Sequence, residues 1–236
     1  MGKRILIVKN ITREGPGILE NILIEKKIRH AVTDLDKGDE LPPFEDIAAV
    51  VVLGGPDSAN DKTEKILSEV AFIREVLSAG LPYLGICLGL QLMVKAGGGK
   101  VVKNPVSETG FRDPGNKYFT VKLTGEGRQD PLFREMGKEF RVFHLHGETV
   151  EMTGNMSLLA TGKFCRNQIV KAGEKAYGIQ CHFELTPEMF EEWITTDPDL
   201  LRLDTEELRK DFRLFRNDYT FTGKILLNNF LAIAGY

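Results

Sequence analysis

The first hundred residues alternate between short continuous apolar runs and segments in which apolar residues recur every three or four positions. The continuous runs predict strands, most of them buried on both faces, at residues 5–8, 30–35, 48–53 and 83–86. The three- and four-residue spacing predicts helices at residues 17–27, 62–78 and 89–96. Strand and helix in this alternation predict an α/β fold with a mostly parallel sheet and helices on both faces.

The pattern changes after Gly97, Gly98 and Gly99, which we interpret as a helix stop followed by a turn, because the lysine context of a phosphate-binding loop is missing. Segments typical of strands then follow at residues 101–103, 118–123, 140–145, 157–161, 168–171 and 176–182. Helical segments close the chain at residues 186–196, 203–215 and 224–234. Without a repeat or a convincing linker, we expect a single domain over residues 1–236 with a helical C-terminal extension at 200–236.

Composition narrows the classes of function. Hydrophobic residues make up 42% of the chain and charged residues 28%, with a net charge of −3, which is typical of a globular protein and argues against nucleic-acid or acidic-membrane binding. No apolar stretch approaches the length of a membrane span, and the N-terminal MGKRILIVKN predicts a first strand rather than a signal peptide. The three cysteines are widely spread without a C-x-x-C pair, so we expect a reducing, cytoplasmic location.

The stretch LPYLGICLGLQLM contains the strongest chemical signal in the chain. An apolar run breaks at Cys87, with Gly85 and Gly89 two residues to either side. A cysteine buried only for packing needs no such glycines, whereas a cysteine on a tight turn between a strand and a helix does, because neighbouring side chains would clash there. Cys165 and Cys181 lack flanking glycines, and we interpret both as packing residues.

Three predicted strands end in unusual residues: Gly54-Gly55-Pro56, Cys87, and His182-Phe183-Glu184. Ligand sites of open α/β sheets lie at the carboxyl ends of parallel strands, so neighbouring strands would bring a thiol, an imidazole and a carboxylate together. In that arrangement Cys87 is the nucleophile, favoured as thiolate by its helix N-terminus, and His182 is the general base. Glu184 is expected on the same strand face as His182 and would orient the imidazole.

The backbone amides of Gly55 and Leu88 would cradle the developing oxyanion. Each motif alone is weak, since H-x-E arises easily by chance and Gly-Gly-Pro is usually only a turn. Their conjunction in this order is specific, and here the sequence resembles the class I (triad) glutamine amidotransferases, in particular the glutaminase portion of GMP synthetase. The matching stretches are VVVLGGPDS, YLGICLGLQLM and YGIQCHFELTP, with HLHGET a looser fourth, and the resemblance spans roughly residues 3–195.

The resemblance implies a flavodoxin-like fold and hydrolysis of the glutamine side-chain amide through a γ-glutamyl thioester, with release of ammonia. It assigns the triad to Cys87, His182 and Glu184 and the oxyanion hole to Gly55 and Leu88. It also places four residues around the bound glutamine, with Gln91 at its amino-acid end: Gly54, Gln91, His146 and Gly147. It implies no cofactor, a substrate that is glutamine or another γ-glutamyl small molecule, and, as a candidate partner, a synthetase on a separate polypeptide.

Several positions depart from the family's pattern. Phe183 replaces the proline of H-P-E, Cys181 replaces the aromatic residue that commonly precedes the histidine, and Glu148 replaces the aspartate of H-G-D-T. His144 and His146 together suggest a metal site, but no third strong ligand is evident in the sequence. We therefore expect no metal, and a structural or substrate-facing role for the two histidines.

Two other functions remain open at this point. A γ-glutamyl peptidase or hydrolase would use the same triad on other γ-glutamyl amides. A catalytically silent or redox-sensing protein of the related flavodoxin-like cysteine group would keep the elbow cysteine, but such proteins usually lack the strand-end H-x-E. The C-terminal helices either form a docking surface or cover the domain's own core, and we favour the second through Phe212, Phe215, Leu226, Leu227 and Phe230.

Overall fold

The computed structural model describes residues 3–43 and 45–236. Within these residues the chain forms five α-helices: α1 (Ile18–Glu25), α2 (Glu64–Ser78), α3 (Leu88–Ala96), α4 (Pro187–Thr196) and α5 (Thr205–Ile233). The same residues form eleven strands: β1 (Arg4–Lys9), β2 (His30–Asp34), β3 (Ile47–Val52), β4 (Tyr83–Ile86), β5 (Lys100–Gly110), β6 (Thr120–Leu123), β7 (Glu139–Arg141), β8 (His144–Glu151), β9 (Met156–Thr161), β10 (Ile169–Ala172) and β11 (Ala176–Ile179).

Nine of these strands form one mixed sheet in the order β2-β1-β3-β4-β11-β10-β9-β6-β7. The strands from β2 to β11 run parallel, and those from β10 to β7 continue the sheet antiparallel. The predicted α/β class is confirmed. Strands β3, β4 and β11 are neighbours, as the prediction of a shared site at their carboxyl ends requires.

Strands β5 and β8 form a separate antiparallel ribbon. The prediction of one strand at residues 140–145 is therefore wrong, because these residues are divided between β7 and β8. The chain interrupts the strand at Val142 and Phe143. Val142 donates its N–H to the carbonyl of Phe119, and Phe143 forms an isolated bridge with His182. β7 therefore ends as a strand of the large sheet, and β8 pairs with β5 instead. Strand β5 is longer than the predicted segment 101–103 and extends to Gly110.

The last parallel strand ends earlier than predicted. Strand β11 stops at Ile179, and His182 and Glu184 lie in the irregular segment that follows. Its neighbour β4 ends opposite it at Ile86, where the chain turns at Cys87, so the parallel ladder between β4 and β11 ends there. The prediction that His182 and Glu184 share a strand face is therefore wrong, although their side chains do meet.

The two helices predicted near the C-terminus are one helix, α5. The sequence suggests a break around Gly223, but this glycine lets the helix pass close to the backbone of Phe183: a Cβ there would lie 2.3 Å from the Phe183 carbonyl oxygen. The five apolar residues predicted to cover the domain's core are all buried in it. None of the helices in the described part of the chain is both long and apolar enough to span a membrane.

Candidate active site

Cys87 occupies a strained turn between β4 and α3. Its backbone has φ 52° and ψ −105°, a left-handed φ that side chains rarely adopt, and it is the N-cap residue of α3. A Cβ on Gly85 would lie 2.3 Å from the backbone carbonyl of Gly89, and a Cβ on Gly89 would lie 2.3 Å from the carbonyl oxygen of Val52. Both glycines are required for close backbone approach, which is why they flank the cysteine.

His182 and Glu184 form a buried pair. Nδ1 of His182 lies 2.6 Å from Oε1 of Glu184, and the two side chains are 1% and 3% exposed. The second carboxylate oxygen, Oε2, accepts a 2.8 Å hydrogen bond from the backbone N–H of Phe183. Proline has no N–H, so the phenylalanine in place of the family's proline supplies a donor that holds the carboxylate.

The imidazole of His182 is held from several sides. The indole ring of Trp193 meets it edge-on with ring centroids 5.0 Å apart, and the hydroxyl of Tyr219 donates to its backbone carbonyl at 3.0 Å. Burial opposes the charged imidazolium, but the carboxylate of Glu184 and the thiol of Cys87 outweigh it and raise the pKa of His182 well above its usual value. The carboxylate of Glu184 thus stabilises the charged form of the ring next to Cys87.

Cys87 and His182 meet at Gly54, the second residue after β3. A Cβ on Gly54 would lie 3.2 Å from Cε1 of His182 and 3.5 Å from Cβ of Cys87. Nε2 of His182 is buried without an aligned hydrogen-bond partner among the described residues, as expected of a nitrogen that exchanges a proton with the thiol or the substrate. Sγ of Cys87 also lies 3.6 Å from the side-chain amide of Gln180.

The predicted oxyanion donors line the same cavity as Cys87. Leu88 is the first residue of α3, so its N–H has no acceptor within the helix, and Gly55 follows β3. A Cβ on Gly55 would lie 2.6 Å from Cβ of Asn10, so the loop backbone approaches this neighbour as closely as a glycine allows.

One cavity of about 470 Å³ contains most of the predicted site. The predicted residues on its wall are Gly55, Cys87, Leu88, Gln91, His146, Gly147 and His182. Glu184 lies behind His182, as an orienting carboxylate does. The side-chain amide of Gln91 lies 3.5 Å from both the carbonyl oxygen of Glu148 and Oε1 of Gln180, and the hydroxyl of Ser58 donates to the carboxylate of Glu148.

Sequence reasoning missed two groups near the sulfur. Gln180 lies two residues before His182, within the stretch YGIQCHFELTP that matches the family. Its place in that stretch is the sequence signal that could have identified it. Glu14, in the loop after β1, belongs to no motif, yet it lines the cavity and its Oε2 lies 2.5 Å from where a Cβ on Gly54 would be. Burial raises the pKa of Glu14 to about 7, with the charge of His182 acting in the opposite direction.

The two histidines of β8 do have a third polar partner. Oε2 of Glu108, on β5, lies 2.9 Å from Nε2 of His146 and 3.8 Å from Nε2 of His144. The expectation that no third ligand group accompanies them is therefore wrong: the register of the ribbon brings in a residue 36 positions before His144. Burial, together with His146 and His182, keeps the pKa of His144 well below its usual value, so this ring is neutral.

Comparison with known protein families identifies the family of this chain. The model of the family described as glutamine amidotransferase class-I matches residues 16–197. The chain belongs to this family. The predicted resemblance to class I glutamine amidotransferases is confirmed. The match includes the elbow at Cys87, the pair His182 and Glu184, and the loop at Gly54 and Gly55.

Curated relatives in this amidotransferase family range from proteins matched over most of their length to proteins matched over a quarter of it. The glutamine amidotransferase-like protein YfeJ of Salmonella typhimurium is 34% identical over 160 residues, which are 65% of this chain and 64% of that protein. A GMP synthase (glutamine-hydrolyzing) of Borrelia garinii is 32% identical over 145 residues, 61% of this chain but 25% of that protein. A Natronomonas pharaonis protein, named as one subunit of a glutamine-hydrolyzing GMP synthase, is 30% identical over 155 residues, 65% of this chain and 74% of that protein.

Solved structures of amidotransferases share the fold over the full chain. A glutamine amidotransferase from Thermotoga maritima superposes with a TM-score of 0.86 at 26% identity and covers 100% of both chains. One from Methylobacillus flagellatus gives a TM-score of 0.87 at 23% identity, covering 99% of this chain and 96% of that one. The α/β fold is therefore that of free-standing class I amidotransferases, including the region of α5.

Proposed function

We propose that the chain hydrolyses the side-chain amide of glutamine at Cys87 and passes the ammonia to an acceptor outside the described site. The observation that carries this proposal is the strained elbow of Cys87 next to an imidazole held at 2.6 Å by a buried carboxylate. An amide needs a strong nucleophile and protonation of its leaving nitrogen. The thiol and the imidazole supply these two functions.

The steps follow from the positions of the groups. The sulfur of Cys87 attacks the amide carbon, and the negative charge that forms on the amide oxygen is stabilised by the N–H groups of Gly55 and Leu88. His182 protonates the departing nitrogen, so that ammonia leaves and a γ-glutamyl thioester remains on the sulfur. A water molecule, deprotonated by His182, then cleaves the thioester to give glutamate and free thiol. Glu184 stabilises the imidazolium throughout.

The charges of the cavity suit a zwitterionic amino acid. Its wall carries the guanidinium of Arg13, which pairs with Asp197 at 2.8 Å, and further carboxylates, of which Asp57 is paired with Lys65 at 2.6 Å: Glu14, Asp57, Glu148 and Asp199. Carboxylates can bind the α-ammonium group of glutamine, while Arg13 and the amide of Gln91 can bind its α-carboxylate. We infer that this end of the cavity selects substrates with a free amino-acid end.

The relatives, rather than the cavity, support a synthetase partner. The Natronomonas pharaonis protein is named as one subunit of a GMP synthase, and the match covers 25% of the GMP synthase of Borrelia garinii. We infer that the ammonia released here is used by a synthetase on a separate polypeptide.

The test compares two substrates with the purified chain. Ammonia release from glutamine and glutamate release from γ-glutamyl peptides are measured side by side, with Cys87→Ala as the control. We expect glutamine to be hydrolysed, whereas turnover of peptides alone would show a γ-glutamyl hydrolase instead. A diazoketone analogue of glutamine, which alkylates an active nucleophile, should add its mass to Cys87 even where a partner is needed for fast turnover.

A further inference from the structure

Three buried side chains meet in the ribbon of β5 and β8, next to the catalytic cavity. Glu108 stands directly opposite His146 in the antiparallel register, and His144 lies two residues from His146 on the same face. One ligand atom from each of the three side chains lies within 4.8 Å of the other two. All three side chains are 1% exposed, so they are shielded from bulk solvent.

The hydrogen bonding of His146 leaves its second ring nitrogen close to a carboxylate oxygen. Its Nδ1 lies 3.0 Å from the carbonyl oxygen of Glu148, which can only accept, so Nδ1 carries the proton. The other ring nitrogen, Nε2, faces Glu108. It is 2.9 Å from Oε2 of Glu108 but has no aligned hydrogen-bond partner among the described residues. A divalent cation between this nitrogen and the carboxylate would bind both atoms.

The surroundings resemble those of metal ligands. A histidine that binds a metal usually donates its other ring N–H to a carbonyl or carboxylate, as His146 does to Glu148, and ligating carboxylates are themselves hydrogen-bonded. Gln168 donates to Oε2 of Glu108 at 2.9 Å. The separations of 2.9 and 3.8 Å from that oxygen to the two imidazoles lie on either side of the ~3.3 Å expected between ligands in a tetrahedral zinc site with bonds of ~2.0–2.1 Å.

We propose that Glu108, His144 and His146 bind a divalent transition-metal ion, with Zn²⁺ preferred. Two imidazoles and one carboxylate suit Zn²⁺, whereas Mg²⁺ and Ca²⁺ favour sets of oxygen ligands. Three protein ligands leave a fourth position for water. The ion would tie β5 to β8 beside Leu145, whose carbonyl oxygen lies 3.6 Å from Sγ of Cys87, and so would stiffen the wall of the cavity.

The first experiment measures stoichiometry in the full chain without a histidine tag. After treatment with a chelator, the protein is dialysed against Zn²⁺ and its metal content is determined. We expect one equivalent in the unmodified chain and in Cys87→Ala, and loss of that equivalent in Glu108→Gln and His144→Asn. Gln168→Ala should bind about 10–100-fold more weakly, because it removes only the support of Glu108. His30→Ala, which removes a histidine remote from the cluster, is the matched control and should bind normally.

A second measurement identifies the ligands without any substitution. Co²⁺ added to the metal-free protein should produce the d–d absorption bands of a four-coordinate nitrogen and oxygen site, without a thiolate-to-cobalt charge-transfer band. Circular dichroism and thermal melts of the metal-free variants show whether each one is folded. No stoichiometric metal in the folded, unmodified chain would overturn the proposal. So would a site that is lost in Cys87→Ala, or a charge-transfer band, because the ion would then be bound by the catalytic thiol.

Discussion

At the scale of single residues, the site depends on how burial and contacts set the chemistry of each ionisable group. Among the three cysteines, Cys165 and Cys181 are enclosed by the core, and burial raises the pKa of Cys165 to about 11 and that of Cys181 well above its usual value. Cys87 instead lines an open cavity beside a histidine whose pKa is raised. The reactivity of a cysteine follows its thiolate fraction and its access.

We therefore predict that Cys87 is the only cysteine alkylated rapidly at neutral pH. Brief treatment with iodoacetamide followed by mass-spectrometric mapping measures this directly. His182→Ala should slow labelling of Cys87, because the imidazolium no longer stabilises the thiolate. Equal labelling of Cys165 in the folded protein would contradict the prediction.

Substitutions in the triad should differ in severity. Cys87→Ala removes the nucleophile and should reduce turnover to background, and His182→Ala should be almost as severe, because it removes the group that protonates the leaving ammonia. Glu184→Gln keeps the volume but removes the charge, and we expect kcat to fall roughly a hundredfold or more. The burial of Glu184 means that water cannot replace it.

The control for that ranking is the Cys87/His182 double variant. Residues of a triad act as one unit, so the double variant should be no worse than Cys87→Ala alone. Steady-state amide hydrolysis measures all four proteins, with circular dichroism to check their folding. Substantial activity in folded His182→Ala would show that another group is the base.

At the scale of elements, the C-terminal helix α5 packs against the segment that carries His182 and Glu184. Tyr219 donates to the carbonyl of His182, and Gly223 lies against the carbonyl of Phe183, between the two polar members of the triad. The helix therefore contacts the backbone on which His182 and Glu184 depend. It contributes to the site without lining the cavity.

We predict that Gly223→Ala lowers both stability and activity. Its Cβ would lie 2.3 Å from a backbone oxygen, so either the helix or the catalytic segment must shift. Overpacking of this kind costs about 1–3 kcal/mol, which lowers the melting temperature by several degrees. Thermal melts and kcat are compared with Gly125→Ala, whose Cβ meets nothing within 4 Å. Unchanged melting and kcat in Gly223→Ala would contradict this role of α5.

At the scale of the whole molecule, buried carboxyl groups link stability to pH. Glu69 on α2 is fully buried, and burial raises its pKa from 4.5 to about 7, although the hydrogen bond from Asn10 opposes the shift. In the folded state Glu69 therefore binds a proton more tightly than in the unfolded state. Its contribution to stability is present below pH 4.5 and is lost as the pH rises through 7.

We predict that Glu69→Gln is more stable than the unmodified chain at pH 8 but not at pH 5. The gain should be on the order of 1–3 kcal/mol, since each unit of pKa shift corresponds to about 1.4 kcal/mol. Urea denaturation at the two pH values measures the difference in the free energy of unfolding between the two proteins. Glu14, whose pKa is also raised to about 7, is present in both proteins, so its effect cancels. Glu75→Gln, exposed on the same helix, is the control for simple loss of a carboxylate. A gain that is equal at both pH values would contradict the assignment.

The sequence by itself determined the strands and helices of the first hundred residues, in their order along the chain, and the residues predicted for the site. Local physics explains this: buried parallel strands are continuous apolar runs, and a strained elbow needs Gly85 and Gly89. The predicted strands and helices of the first hundred residues match β1 to β4 and α1 to α3 to within two residues at each end. Gly55, Cys87 and His182 stood out through the conjunction of their motifs in one order, and Gly54 and Gln91 through the resemblance to the family.

Only the tertiary structure decided which distant groups meet. The contact of His182 with Glu184 does not arise from a shared strand face, because β11 ends at Ile179 once its partner β4 turns away. Glu108 joins His144 and His146 through the register of β5 and β8, and a register between strands 34 or more positions apart leaves no local pattern. The same holds for Gly223, a helix breaker by propensity, which remains in α5 because the helix packs against the backbone of Phe183.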